Sequence, residues 1–208
     1  MDTAKHLSPE DAVYRVAARL VAVQHAVAEI AGGRKLELDP RALQQAVFTI
    51  RTILRSIPDA HGVFIGGLAV QHHGYHRYTE DVDIVVDRAH FNDIMQKLRE
   101  AGFAIQPDCT FVNAQTGAVV DVLQEGTTIR NARSPLPHPS LLGPNGGFAD
   151  MIPLIQLKLE ANRSQDRADV VSLLKRNMTK IDEIAASLPD YLRPTFQHQV
   201  EDARREME

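Results

Sequence analysis

Cysteine is nearly absent from this chain. Cys109 stands alone among 208 residues, so no disulfide can form within it. That pattern fits a reducing compartment. Tryptophan is missing, and aromatics make up only 5%. Aliphatic side chains and alanine must therefore fill the core, and no aromatic platform for stacking bases is apparent. Positive charge is not in excess either: the formal net charge is −4. A strongly basic nucleic-acid footprint is thereby excluded at the level of the whole chain. A local patch built from Arg15, Arg19, Arg51, Arg55, Arg130, Arg133, Lys158 and Arg163 stays open, beside the plainer reading of these as solvated surface charges. Long apolar runs are also lacking. The stretch Val16 to Ile30 is broken by Arg19, Gln24, His25 and Glu29, short of the roughly 20 apolar residues that span a bilayer. The N-terminus does not carry the basic-then-apolar signature of a signal peptide. The expectation is a soluble, cytoplasmic protein with no membrane partner.

The apolar fraction of 44% is ordinary for a globular chain of one to one and a half domains. Ser8 and Pro9 open a predicted helix over residues 9–31, closed by Gly32-Gly33. Asp39-Pro40 opens a second, with Leu43, Val47, Ile50, Leu54 and Ile57 as its apolar stripe and Pro58 as its stop. The character then changes. Short strands are predicted at 63–65, 82–86, 103–105, 110–112 and 118–123, with helices at 68–73 and 91–101 between them. Residues 124–150 are rich in glycine and proline and hold at most a short strand near Thr127 to Arg130. A connection of that length is usually functional or mobile. Four helices are predicted from residue 153 onward, at 153–162, 165–176, 179–187 and 191–206. Strands clustered in the middle favour an α+β class over a regular βαβ alternation. The expected divisions are an N-terminal helical segment (1–58), a core (59–150) and a C-terminal helical region (151–208).

Two elements of the core carry chemistry. In Phe64-Ile65-Gly66-Gly67-Leu68-Ala69-Val70, a strand passes through two glycines into a helix start. Backbone N–H groups and the positive helix end then meet at one point, which suits a phosphate. Such a turn also needs glycine for steric reasons alone. In Thr79-Glu80-Asp81-Val82-Asp83-Ile84, strand alternation points Asp81 and Asp83 to one face. Two carboxylates about 6–7 Å apart along a strand can share hard cations, and Mg²⁺ is commonly held by one or two carboxylates plus substrate phosphates. The plainer alternative is a solvated strand end. Asp121, in Val119-Val120-Asp121-Val122-Leu123, is a charge inside an apolar strand and needs compensation. Beside 82–86 it would make a third converging acid. Arg77 suits a phosphate or an ion pair as well as it suits solvent. His61, His72, His73 and His76 match no zinc spacing. Lys158 lies in the apolar run Leu154-Ile155-Gln156-Leu157-Lys158-Leu159, so its side chain either snorkels out or meets a phosphate. Asp166 and Asp169, at i and i+3, suit a salt bridge to Arg163 or Arg167.

Gly66-Gly67, Asp81-x-Asp83 and Asp121 together resemble the DNA polymerase β-type nucleotidyltransferase superfamily. The longer pattern Gly66-Gly67-Leu68-Ala69-Val70-x-x-His73-Gly74-x-x-Arg77-x-Thr79-x-Asp81-Val82-Asp83 is similar to small bacterial nucleotidyltransferases of the abortive-infection and toxin–antitoxin type. The similarity resumes from Leu154 through Lys158, Arg163, Asp166 and Asp169 to Leu174, and covers about residues 60–176. What the resemblance implies is a small mixed β-sheet nucleotidyltransferase core, with helices packed on it. It implies transfer of a nucleoside monophosphate from an NTP (ATP among them), with Mg²⁺ or Mn²⁺, onto a tRNA, protein or small-molecule acceptor. An antitoxin partner is implied in the same way. Asp81, Asp83 and Asp121 would be the catalytic and metal-binding residues. Gly66, Gly67, Arg77, Thr79, Lys158 and Arg163 would contact the nucleotide, with Asp166 and Asp169 in support. One departure is Gly67, where many superfamily members carry serine. The alternative is a nucleotide-binding or protein-interaction module that keeps the fold without turnover.

Overall fold

The computed structural model describes residues 40–106, 109–129 and 132–208. The helix expected at 9–31, with its caps, and Arg130 lie outside the described residues. In chain order the elements are α1 (Pro40–Ser56), β1 (Gly62–Phe64), α2 (Gly66–His72), β2 (Asp81–Val86), α3 (Phe91–Glu100), β3 (Phe103–Ile105), β4 (Thr110–Asn113) and β5 (Val119–Gln124). After a long connection come α4 (Met151–Ala161), α5 (Ser164–Lys175), α6 (Ile181–Ser187) and α7 (Arg193–Arg205). The class is α+β, with a mixed five-stranded sheet in the order β1-β2-β5-β4-β3 and seven α-helices among the described residues. No helix among these residues is long and apolar enough to cross a membrane.

Strand alternation sets which residues the sheet buries. Val82 and Ile84 of β2 are buried, while Asp81 and Asp83 are only half-buried. β5 repeats the pattern: Val120 and Val122 are buried, and Asp121 is half-buried between them. Asp121 therefore lies on the more open face rather than inside the apolar layer, because β-strand side chains change sides at every residue. The pairs β1–β2, β3–β4 and β4–β5 are antiparallel, with Gly62 opposite Val86, Phe103 opposite Asn113 and Thr110 opposite Asp121.

The contacts fall into two compact units. One contains α1, residues 80–82 and 89–122. In it α1 packs on α3, and α3 on β3, burying Ile50, Leu54, Ile94, Leu98 and Phe103. The face α1 buries is centred on Ala46, Ile50 and Ile53. Val47, expected in the stripe, is half-buried. The other unit contains residues 61–79, 83–88 and 123–208. Its core gathers Val63, Val85, Leu154, Ile155, Leu173 and Phe196. Helix α4 packs against both α2 and α5, and α5 packs against α7. Burial on several faces explains why α4 is apolar nearly all round. A left-handed Asn162 (φ 48°) ends it.

The glycine- and proline-rich connection is tied down by backbone hydrogen bonds. Gly126 N–H donates to Leu136 C=O and Leu136 N–H to Thr127 C=O, both at 2.8 Å. Phe64 N–H donates to Gly147 C=O at 2.9 Å, and Ala149 N–H to Phe64 C=O at 2.8 Å. The last two bonds lay Phe148 parallel to β1. The short strand expected near Thr127 is not formed over 127–129, where the bonds of Gly126 and Thr127 to Leu136 close a loop instead.

Phe196, 1% exposed, fills the middle of the helical core. Phe196→Ala is expected to cost about 3–5 kcal/mol, read as a lowered urea midpoint with an unchanged slope.

Candidate functional site

The turn after β1 is built around two glycines with different duties. Gly66 has φ +63°, in the left-handed region. A Cβ there would lie 1.7 Å from Asp83 Oδ2, so no side chain fits between the turn and that carboxylate. Gly67 needs no unusual backbone angle, yet its Cβ would meet Thr79 Oγ1 at 2.4 Å and Arg77 Nη2 at 3.0 Å. The absent side chain lets Thr79 and Arg77 close on the helix start. Ile65 N–H donates to Asp83 C=O at 3.0 Å, which fixes the turn beside β2.

The sheet order makes β2 and β5 neighbours. Asp81, Asp83 and Asp121 each offer one carboxylate oxygen, and these three atoms lie within 4.8 Å of one another. All three residues are half-buried. Thr110, opposite Asp121 in the register, donates from Oγ1 to Asp121 Oδ1 at 2.6 Å and so holds that side chain. An all-oxygen donor set suits a hard cation such as Mg²⁺ or Mn²⁺ better than a soft one.

Arg77 is anchored from behind. Its Nε lies 2.8 Å from Asp169 Oδ1, and its Nη2 donates to Asp169 Oδ2 at 3.1 Å. Asp169 is fully buried and also meets Lys158 Nζ at 2.8 Å. The same ammonium donates to Asp166 Oδ1 at 2.9 Å. Asp166 in turn takes Arg163 Nε at 2.7 Å and the Arg163 backbone N–H at 3.2 Å, at the start of α5. Two buried carboxylates are thus set among three cations. Lys158 neither snorkels out nor stands open: its side chain is 7% exposed and faces two acids. Arg163 is the open member, 72% exposed. Burial alone would push the Asp166 carboxyl up, but hydrogen bonds from Arg163 and Lys158, with their charges, outweigh it and hold it below its ordinary value of 3.8.

The structure thus joins Gly66 to Asp83, and Gly67 to Thr79 and Arg77. It links Arg77 to Lys158 and Arg163 through Asp169 and Asp166. His73 Nε2 lies 2.8 Å from Ala149 C=O, and His72 stacks on Phe148 at 4.8 Å. The Arg77–Asp169 pair, across 92 positions, has no local signal in the sequence. Glu160 and Tyr191, which hydrogen-bond to each other, were equally unmarked. No protein-family model matches this chain, and no curated protein matches it.

Two outcomes follow. Gly66→Ala is expected to destabilise by at least about 1 kcal/mol, because a left-handed residue gains a Cβ and Asp83 must move. Urea unfolding reads the loss. For Asp166 the folded-state value lies below the unfolded one. Its contribution is then fully present above the ordinary carboxylate value and fades as pH falls through the folded value. The Tm gap between wild type and Asp166→Asn is therefore expected to be widest near neutral pH and to narrow below about pH 4.

Proposed function

We propose that this chain is a metal-dependent nucleotidyltransferase, moving a nucleoside monophosphate from an NTP to an acceptor hydroxyl or phosphate. One observation carries the reading: three carboxylate oxygens of Asp81, Asp83 and Asp121 come within 4.8 Å of one another. The glycine turn packed directly against Asp83 supports it.

Asp81, Asp83 and Asp121 would hold Mg²⁺ or Mn²⁺. When bound, the cation offsets negative charge on the transferring phosphoryl group. The turn at Gly66-Gly67 presents backbone N–H groups to the triphosphate. Arg77, fixed by Asp169, adds positive charge beside that turn. Thr110 orients Asp121, which takes the proton from the acceptor O–H as its oxygen attacks the α-phosphorus. The Pα–O bond to pyrophosphate breaks, and the acceptor leaves carrying the nucleotide. Lys158 and Asp166 support Arg77 through Asp169 rather than touching phosphate themselves. The net charge of −4 favours a small acceptor or a short tRNA end over an extended nucleic acid.

The test uses the purified chain, each α-labelled NTP with Mg²⁺, and a cell extract as the acceptor pool. Label is expected to enter one fraction, to vanish with EDTA and to return with Mg²⁺. Asp81→Asn and Asp83→Asn, shown folded by circular dichroism, are expected to lower labelling at least about 100-fold. Undiminished labelling in both variants sinks the reading at this site. Metal-dependent NTP binding without any labelled product would favour a binding module instead.

A further inference from the structure

A cavity lies in the unit that holds α4 to α7, away from the acids of the sheet. It measures about 230 Å³, and Leu136, Leu142, Ile152 and Leu157 supply its apolar wall. Glu160 is part of the same wall. Leu141, which also lines it, is 69% exposed. Glu160 itself is only 7% exposed. Its partners are neutral donors: the Tyr191 hydroxyl on Oε1 and the Arg133 backbone N–H on Oε2, the latter at 2.9 Å. The Arg133 guanidinium lies over the Tyr191 ring, 5.3 Å from its centroid. Ser134 Oγ and the Tyr191 hydroxyl lie 2.7 Å apart, closing the chain of hydrogen bonds. The bond to Glu160 is the main reason the Tyr191 hydroxyl is held above its ordinary pKa. Among the described residues no side-chain cation pairs with Glu160.

A buried carboxylate satisfied by neutral donors keeps its charge uncompensated, and burial makes such a charge expensive. Each carboxylate oxygen has a second lone-pair direction. An apolar cavity beside such a group is complementary to a cation carrying an apolar body. A cavity of about 150 Å³ accommodates benzene, so the volume here leaves room for an aromatic ring plus an aminomethyl group. We propose that this cavity binds a small arylalkyl- or alkylammonium group, with Glu160 as the counter-ion and the leucine and isoleucine wall around the hydrocarbon. This second site needs neither nucleotide nor metal, so its test is separate from that of the transferase reading.

Benzylamine, benzyl alcohol and benzoate share one shape and differ in charge. Titrated calorimetrically into the full chain at pH 7.5, benzylamine is expected to bind at least about tenfold more tightly than the alcohol, with benzoate weakest. Glu160→Gln is expected to erase the preference for amine over alcohol while leaving apolar binding in place. Where that variant fails to fold, Leu157→Phe decides, since it fills the wall and leaves the carboxylate intact; benzylamine binding should drop at least about tenfold. Equal binding of amine and alcohol to the wild type overturns the proposal. So does benzylamine binding that Leu157→Phe leaves unchanged.

Discussion

Asp169 is fully buried and ionisable, and its unit is organised around neutralising it. An uncompensated charge in that position would cost several kcal/mol. Lys158 from α4 meets one oxygen of Asp169, and Arg77, ahead of β2, meets both. One carboxylate therefore ties three separated segments together. Its geometry also has a direction. Arg77 is drawn toward Asp169, and in that position its Nη2 stands against Gly67. A glycine is required there because Thr79 and, a little farther off, Arg77 Nη2 occupy the space a Cβ would take. The ion pair and Thr79 together thus crowd the start of the helix after the turn.

A single network of this kind is a poor source of net stability, since desolvation offsets much of its attraction. Hydrophobic replacement would stabilise as well or better. What ionic partners provide and leucines do not is a guanidinium held at a fixed place with little rotamer freedom left. That is the property a phosphate-binding residue needs. The same logic applies to Asp121, where Thr110 spends its hydroxyl on one carboxylate oxygen. In both cases a neighbour fixes a charged side chain that could otherwise adopt many rotamers.

The parts of the fold legible in the sequence were those with local signals. β2 and β5 announced themselves through alternation of valine and isoleucine with aspartate, and the observed strands at 81–86 and 119–124 differ by one residue from those expected. Their adjacency in the sheet could be framed only as a condition, because pairing between distant strands leaves no mark on either one. The partners of Lys158 were half legible. Asp166 and Asp169 could be seen to share a helix face, but it was their reach to the helix before and to Arg77 that absorbed the lysine. The local rule that lysine in an apolar helix snorkels failed because buried acids were waiting on the next element. The 124–150 connection looked loose by composition. Among its described residues, backbone bonds tie Gly126 and Thr127 to Leu136 and residues 146–149 to β1, and composition does not encode those.

Helix α4 shows why one apolar run could hide two opposite charges. Lys158 and Glu160 are two positions apart, which turns them about 200° around the helix axis. They therefore face different neighbours, and each is buried. Lys158 meets the carboxylates of Asp166 and Asp169, so it is paired within the chain. Among the described residues Glu160 meets a hydroxyl and a backbone amide, neither of which carries a charge. A helix exposed on one face would have sent one of the two to solvent. Because α4 is covered on both sides, neither charge is turned to solvent. Lys158 is paired with Asp166 and Asp169, while Glu160, in the wall of an apolar cavity, has no side-chain cation paired with it among the described residues. The difference between these two solutions, two residues apart on the same helix, is the physical reason to look for a cation at the second.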